Sequence, residues 1–134
     1  MTTRPYIYPI VSVVRIVDGD SFWLQLDVGF RQIQLTNIRL AGWDCPEMRG
    51  GSEYERLKAK EATALSGHFL TQTDGKQLWI MTQKDPDSFG RWLGDIWRED
   101  FETVDHLGDL LESAQLAVRW PLRWHDIYDP SKEV

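Results

Sequence analysis

The stretch Ile38-Arg-Leu-Ala-Gly-Trp-Asp-Cys-Pro-Glu47 decides how the rest of the chain is organised. It begins as a strand of alternating apolar and charged residues and then breaks at a glycine and at a proline. Around those breaks it carries a cation and two carboxylates, Arg39, Asp44 and Glu47. A strand that ends in a proline turn holds such groups at the rim of a sheet, where binding and catalytic residues are common. Charges beside apolar residues are expensive to desolvate unless they pair or bind a ligand.

The residues before this stretch predict a meander of antiparallel strands. Alternating or β-branched runs indicate strands over Ile10–Val17, Phe22–Val28 and Phe30–Leu40. Turn residues, Asp18 to Ser21 and Gly29, separate these runs.

The residues after it predict a helix, two more strands and a second helix. Apolar spacing predicts helices over Glu53–Leu70, which Ser52 or Glu53 can start, and over Thr103–Val118. Strands are predicted over Lys76–Thr82 and Gly90–Trp97. The order predicts an α+β, mainly β fold: a five-stranded OB-fold barrel with two helices. We expect one domain over residues 1–134, with a core over about residues 10–120 and a C-terminal tail over residues 121–134.

Composition limits the class of protein. The 134 residues are 42% hydrophobic, which suits one globular domain, and the single Cys45 excludes an internal disulfide. There is no long apolar run and no signal-peptide pattern, so an intracellular protein is expected. The net charge of −6 argues against a protein that binds nucleic acid through a generally basic surface.

Three motifs, in this order along the chain, resemble those of the staphylococcal nuclease-like family: Val17-Asp-Gly-Asp-Ser21, Arg39-Leu…Asp44-Cys-Pro-Glu47 and Asp87-Ser-Phe-Gly-Arg91. The resemblance covers about residues 11–120. It implies the barrel predicted above, of staphylococcal nuclease type. It also implies a calcium-dependent nuclease that acts on DNA or RNA, favours unpaired strands and leaves a 3′-phosphate.

Asp18 and Asp20 stand two residues apart across a turn glycine. Spacing alone leaves two interpretations open: an Asx-turn, or carboxylates that converge on a hard cation such as Ca²⁺. The resemblance implies that one Ca²⁺ is bound by Asp20, Asp44 and the backbone carbonyl of Cys45. Asp18 and Ser21 would then support those ligands.

Arg39, Glu47 and Arg91 fill the catalytic positions of the resemblance. It implies that the two guanidinium groups hold the reacting phosphate and stabilise its developing charge, while Glu47 is the general base. From the residues alone, each of the three could equally form an ordinary surface ion pair.

Aromatic residues are the candidates for substrate binding. Phe89 stands where the family often has Tyr, and Trp120 and Trp124 could stack on bases or simply pack in the core. The three histidines show no zinc-ligand spacing with Cys45. A non-catalytic OB-type module that binds nucleic acid or protein remains the alternative function, and the C-terminal tail is a candidate for partner or oligomer contacts.

Overall fold

The computed structural model of the chain describes residues 6–132. The strands are β1 (Tyr6–Asp18), β2 (Ser21–Asp27), β3 (Ile33–Leu40), β4 (Trp43–Asp44), β5 (Gln77–Thr82), β6 (Trp92–Glu99), β7 (Val104–His106) and β8 (Val118–Arg119). The helices are α1 (Glu53–Thr71), α2 (Leu107–Ser113) and α3 (Trp124–Tyr128), followed by a 3₁₀ turn over Pro130–Lys132. No helix within these described residues is long and apolar enough to cross a membrane.

Five strands close into a barrel. Their order is β3-β2-β1-β5-β6, and a parallel pairing between the end of β3 and the start of β6 joins the two edges. This is the predicted OB-fold barrel, and the predicted meander of β1, β2 and β3 is confirmed. Strand β7 extends the sheet beyond β6, while β4 and β8 form a separate two-stranded ribbon.

The alternation of β2 explains its place in the barrel wall. Phe22, Leu24 and Leu26 are buried, whereas Trp23 and Gln25 are half-buried on the other face, as a strand with one face on a core requires. The interior is completed by apolar residues of the other strands and of α1 and α2, among them Ile38, Leu40, Phe69, Ile80, Ile96, Leu107 and Leu111.

Helix α1 begins where the sequence predicts. Ser52 is its N-cap and accepts a hydrogen bond from the backbone N–H of Glu55 at 3.0 Å. The helix packs against β1. The side chain of Glu55 is buried although it lies in the first turn.

The predicted helix over Thr103–Val118 is wrong in its bounds. Its first residues form β7, because Asp100 accepts hydrogen bonds from the backbone of Glu102 and Thr103 and turns the chain back along β6. Helix α2 ends at Ser113, and Gln115 then adopts a positive φ of 60°. Left-handed residues of this kind commonly terminate helices.

The predicted tail also contains structure that its sequence did not indicate. Helix α3 lies within it, and Trp124 is only 1% exposed. Residues 1–5 and the last two residues of the tail lie outside the described residues, while β1 begins at Tyr6, four residues before the predicted start at Ile10.

The packing of α2 on β4 can be tested at Gly108. A Cβ added there would overlap the indole of Trp43, whereas a Cβ at Gly67 in α1 would meet only Ile16 Cδ1, at 3.1 Å. Helix propensity alone favours alanine over glycine by about 1 kcal/mol. We expect Gly108→Ala to lower the free energy of unfolding by about 1–3 kcal/mol, since overpacking outweighs propensity.

Urea denaturation measures this effect, with Gly67→Ala as the matched control that should stay within about 1 kcal/mol of the parent protein. Equal stability of the two variants would show that α2 does not pack on Trp43 in this way.

Candidate active site

The site is built around Arg39, near the end of β3. Its Nη2 lies 3.4 Å from Asp20 Oδ2 and 3.2 Å from Asp44 Oδ1. Both carboxylates are buried, at 3% and 2% exposure. Asp20 comes from the turn between β1 and β2, and Asp44 from β4, so one guanidinium joins three parts of the chain.

Backbone groups also hold the two carboxylates. Asp20 accepts hydrogen bonds from the Cys45 backbone N–H at 3.0 Å and the Ser21 hydroxyl at 3.3 Å. Asp44 Oδ2 accepts from the Trp124 backbone N–H at 2.8 Å. The pair is therefore held in place by backbone donors as well as by Arg39.

Desolvation dominates the electrostatics of Asp20. Burial raises the pKa of Asp20 to about 6, although Arg39 and the Cys45 amide oppose the shift. Burial likewise raises the pKa of the Cys45 thiol well above its usual range. The thiol is 1% exposed and therefore stays protonated and unreactive.

The donor set has the chemistry that calcium prefers. The carboxylates of Asp20 and Asp44 converge on the position that Arg39 Nη2 occupies. Such oxygens are the usual ligands of Ca²⁺. Within the described residues, however, no group of three or more His, Cys, Asp or Glu side chains is arranged to hold a metal. A metal here would take its remaining ligands from the backbone or from water.

Glu47 is anchored by its backbone and exposed at its side chain. Its N–H donates to the buried Glu55 carboxylate at 3.0 Å, and the next residue, Met48, donates to Asp18 at 3.2 Å. The side chain of Glu47 is 51% exposed, and its carboxylate lies 3.3 Å from Arg123 Nη2. These hydrogen bonds fix the backbone at Glu47 and Met48, while the Glu47 carboxylate faces solvent.

Arg91 precedes β6 and is held by Asp87. The Asp87 carboxylate accepts from the Arg91 backbone N–H at 2.9 Å and from Nε at 3.1 Å. The Arg91 guanidinium also lies 5.4 Å from the ring of Phe89, which is 81% exposed. This geometry orients Arg91 before any ligand arrives.

These residues share one depression, which we call the main groove. It has a volume of about 490 Å³, and its lining includes Arg39, Glu47, Phe89, Arg91, Trp120 and Arg123. Three separate segments of the chain thus bring the predicted catalytic residues together with two of the predicted aromatic ones.

Trp124 is the predicted site residue that the structure places elsewhere. Its ring is buried between Tyr54 and Tyr128, at centroid distances of 6.2 and 5.6 Å. No face is left for a base, so its packing interpretation is the correct one. Asp18 and Ser21 lie beside the site, in contact with Met48 and Asp20 respectively.

Arg123 is a site residue that the sequence did not reveal. Its Nε lies 3.4 Å from Asp44 Oδ1, but the angle is not that of a hydrogen bond, so this buried nitrogen has no hydrogen-bond partner in the described chain. Its guanidinium lies 5.6 Å from the Trp120 ring, which Arg39 approaches at 6.0 Å. No local motif marks Arg123, because its partners are far away in sequence.

Comparison of the chain with models of protein families finds no match, and comparison with curated protein sequences finds none either. The assignment of a function therefore depends on the geometry of the site itself.

The raised pKa of Asp20 predicts a pH-dependent stability. The folded protein keeps this proton up to about pH 6, whereas the unfolded chain releases it near the ordinary value of 3.8. Folding therefore binds a proton between these values, and the free energy of unfolding falls as the pH rises through them. The fall due to this group is roughly 3 kcal/mol, at about 1.4 kcal/mol per pH unit.

Asp20→Asn should remove this contribution. Relative to the parent protein, the variant should gain stability between pH 4 and pH 7 in calcium-free buffer, as measured by urea denaturation at a series of pH values. Asp85→Asn, in an exposed loop, is the control and should run parallel to the parent. A parallel profile for Asp20→Asn as well would contradict the raised pKa.

Proposed function

We propose that this protein is a calcium-dependent nuclease that hydrolyses phosphodiester bonds of single-stranded DNA or RNA. The observation that carries the proposal is the main groove, which Arg39, Glu47 and Arg91 line together, with Arg39 in contact with the buried Asp20 and Asp44. Guanidinium groups match phosphate oxygens, and an exposed carboxylate between them can accept a proton from water.

The roles follow from the placements. Arg91, oriented by Asp87, binds a non-bridging oxygen of the phosphate and stabilises the charge that develops there. Arg39 approaches the same phosphate from β3. Glu47, anchored through Glu55, takes the proton from the water that attacks phosphorus, while the bond from phosphorus to the 5′ oxygen breaks and the leaving oxygen takes a proton from solvent water. A Ca²⁺ bound by Asp20 and Asp44 would neutralise the pair and polarise a phosphoryl oxygen.

Trp120 and Phe89 would provide the stacking surface. Both rings are exposed in the groove, at 56% and 81%, and both lie beside a guanidinium. Bases stack on aromatic faces without sequence preference, which suits a nuclease of broad specificity.

A non-catalytic binding module of the same fold is the alternative function. The observation that favours it is that Glu47 and both buried carboxylates are already paired with arginines. Such pairing stabilises a surface whether or not chemistry occurs. Cleavage and calcium binding distinguish the two functions.

Cleavage tests the nuclease directly. Labelled single-stranded DNA and RNA should be cut by the parent protein with Ca²⁺ and not with chelator. Glu47→Gln should lower the rate about 10²- to 10⁴-fold, since it removes the general base. Arg91→Gln should lower it about 10²- to 10³-fold, since it removes one electrostatic group.

The matched control is Arg31→Gln, which makes the same change of charge in the turn between β2 and β3, at the far end of those strands. Its rate should equal that of the parent. If the parent protein cleaves neither substrate with calcium, the nuclease proposal is wrong.

Calcium binding is tested by thermal unfolding. Calcium at 100 times its Kd should add about 2.7 kcal/mol of apparent stability and raise the Tm by several degrees. Asp20→Asn and Asp44→Asn should abolish this rise, whereas the exposed Asp85→Asn should retain it. A calcium-independent Tm of the parent protein would favour the binding module.

A further inference from the structure

A second depression, which we call the side groove, adjoins the main groove. It has a volume of about 560 Å³, and its lining includes Arg15, Trp23, Asn37 and Arg49. Glu47 and Arg91 line both grooves, so the two depressions meet at the proposed catalytic residues. A chain-like substrate centred on Glu47 and Arg91 therefore has a path in two directions.

The strand register places residues of the side groove next to the row of side chains that contains Arg39. Arg15 on β1 pairs with Trp23 on β2, and Trp23 pairs with Asn37 on β3. Directly opposite residues share one face of a sheet, so these three side chains form a row across the outside of the barrel.

The row that contains Arg39 is the neighbouring row on the same face of the sheet. Ser21 and Arg39 are paired, and they lie two residues before Trp23 and two residues after Asn37 respectively. Two residues along a strand return to the same face and span roughly 7 Å. The row of Trp23 thus lies about one nucleotide step from the row of Arg39, one of the residues proposed to hold the reacting phosphate.

The charges of the side groove are free to meet a ligand. Within the described part of the chain, neither Arg15 nor Arg49 forms a salt bridge, and both are exposed. Together with Arg91 they face the carboxylates of Asp18 and Glu47. Arg91 is already paired with Asp87, so Arg15 and Arg49 are the cations of the side groove that a ligand can meet, although the chain carries a net charge of −6.

We propose that the side groove binds the nucleotide on the far side of the scissile phosphate from Trp120, so that a single strand crosses the site through both grooves. Trp23 stacks on the base, the Asn37 amide lies beside it as a hydrogen-bonding group, and Arg15 and Arg49 bind the neighbouring phosphates. The proposal rests on the proposed nuclease function and makes the enzyme an endonuclease, because the strand continues on both sides of the cut.

Binding of a labelled oligothymidylate of about ten nucleotides tests the proposal, compared with a labelled thymidine mononucleotide that carries a phosphate. All proteins carry Glu47→Gln to prevent cleavage, calcium is present throughout, and fluorescence anisotropy is measured over a series of salt concentrations.

Each variant has its own expected signature. Arg15→Gln and Arg49→Gln together should weaken binding of the long strand and reduce the slope of log K against log salt by about 0.7 for each phosphate that an arginine no longer neutralises. Trp23→Ala should weaken long-strand binding roughly tenfold with little change of slope, and Trp23→Phe should restore it. Binding of the mononucleotide, whose single base the main groove accommodates, should stay unchanged in all of them.

Arg31→Gln again controls for the removed charge and should bind the long strand as the parent does. If the Arg15, Arg49 and Trp23 variants also bind it like the parent, with an unchanged salt slope, the side groove takes no part in binding and this proposal is overturned while the nuclease stands. If the parent protein binds no oligonucleotide and cuts none, the proposed function itself fails, and this proposal fails with it.

Discussion

The contact of one guanidinium with two buried carboxylates is the constraint on which the rest of the structure depends. Asp20 and Asp44 repel each other, and burial makes the charged state of both expensive. Arg39 relieves both penalties because it reaches each carboxylate within 3.4 Å. In doing so it joins the turn between β1 and β2, the end of β3 and the short strand β4. The C-terminal segment depends on the same charges, since Asp44 also accepts the backbone N–H of Trp124 at the start of α3.

The sequence predicted those parts of the molecule that depend on local patterns. Alternation identified the barrel strands, Ser52 identified the start of α1, and the charged stretch around Asp44 identified the centre of the site. The predictions failed where contacts between residues far apart in the chain determine the structure. The apolar spacing before Val118 continues past the true end of α2, because the end is set by the left-handed Gln115. Arg123 gains its role from Asp44 and Glu47, and the Trp124 ring stacks on Tyr54. These partners lie far earlier in the chain, and no local spacing carries that information.

Glu47 combines a fixed backbone with an exposed side chain. In a capping box, an acidic residue at the position of Glu55 bonds back to the N-cap of its own helix. Here the Glu55 carboxylate is directed instead to the backbone N–H of Glu47, while the Ser52 hydroxyl still caps the helix. The start of α1 therefore fixes the loop that carries Glu47. Arg123 restrains the exposed carboxylate from the other side through a partly exposed pair, which is weak enough to exchange for another partner.

The distribution of charge bears on the objection that an acidic chain suits a polyanionic substrate poorly. Five arginines line the two grooves, Arg15, Arg39, Arg49, Arg91 and Arg123, and they are matched by the lining carboxylates of Asp18, Glu47 and Asp87 together with the buried Asp20 and Asp44. The excess of acid lies elsewhere on the surface. Because screening limits the reach of exposed charges to about 8–10 Å at ordinary salt, an incoming phosphate responds to the lining of the grooves more than to the net charge of −6.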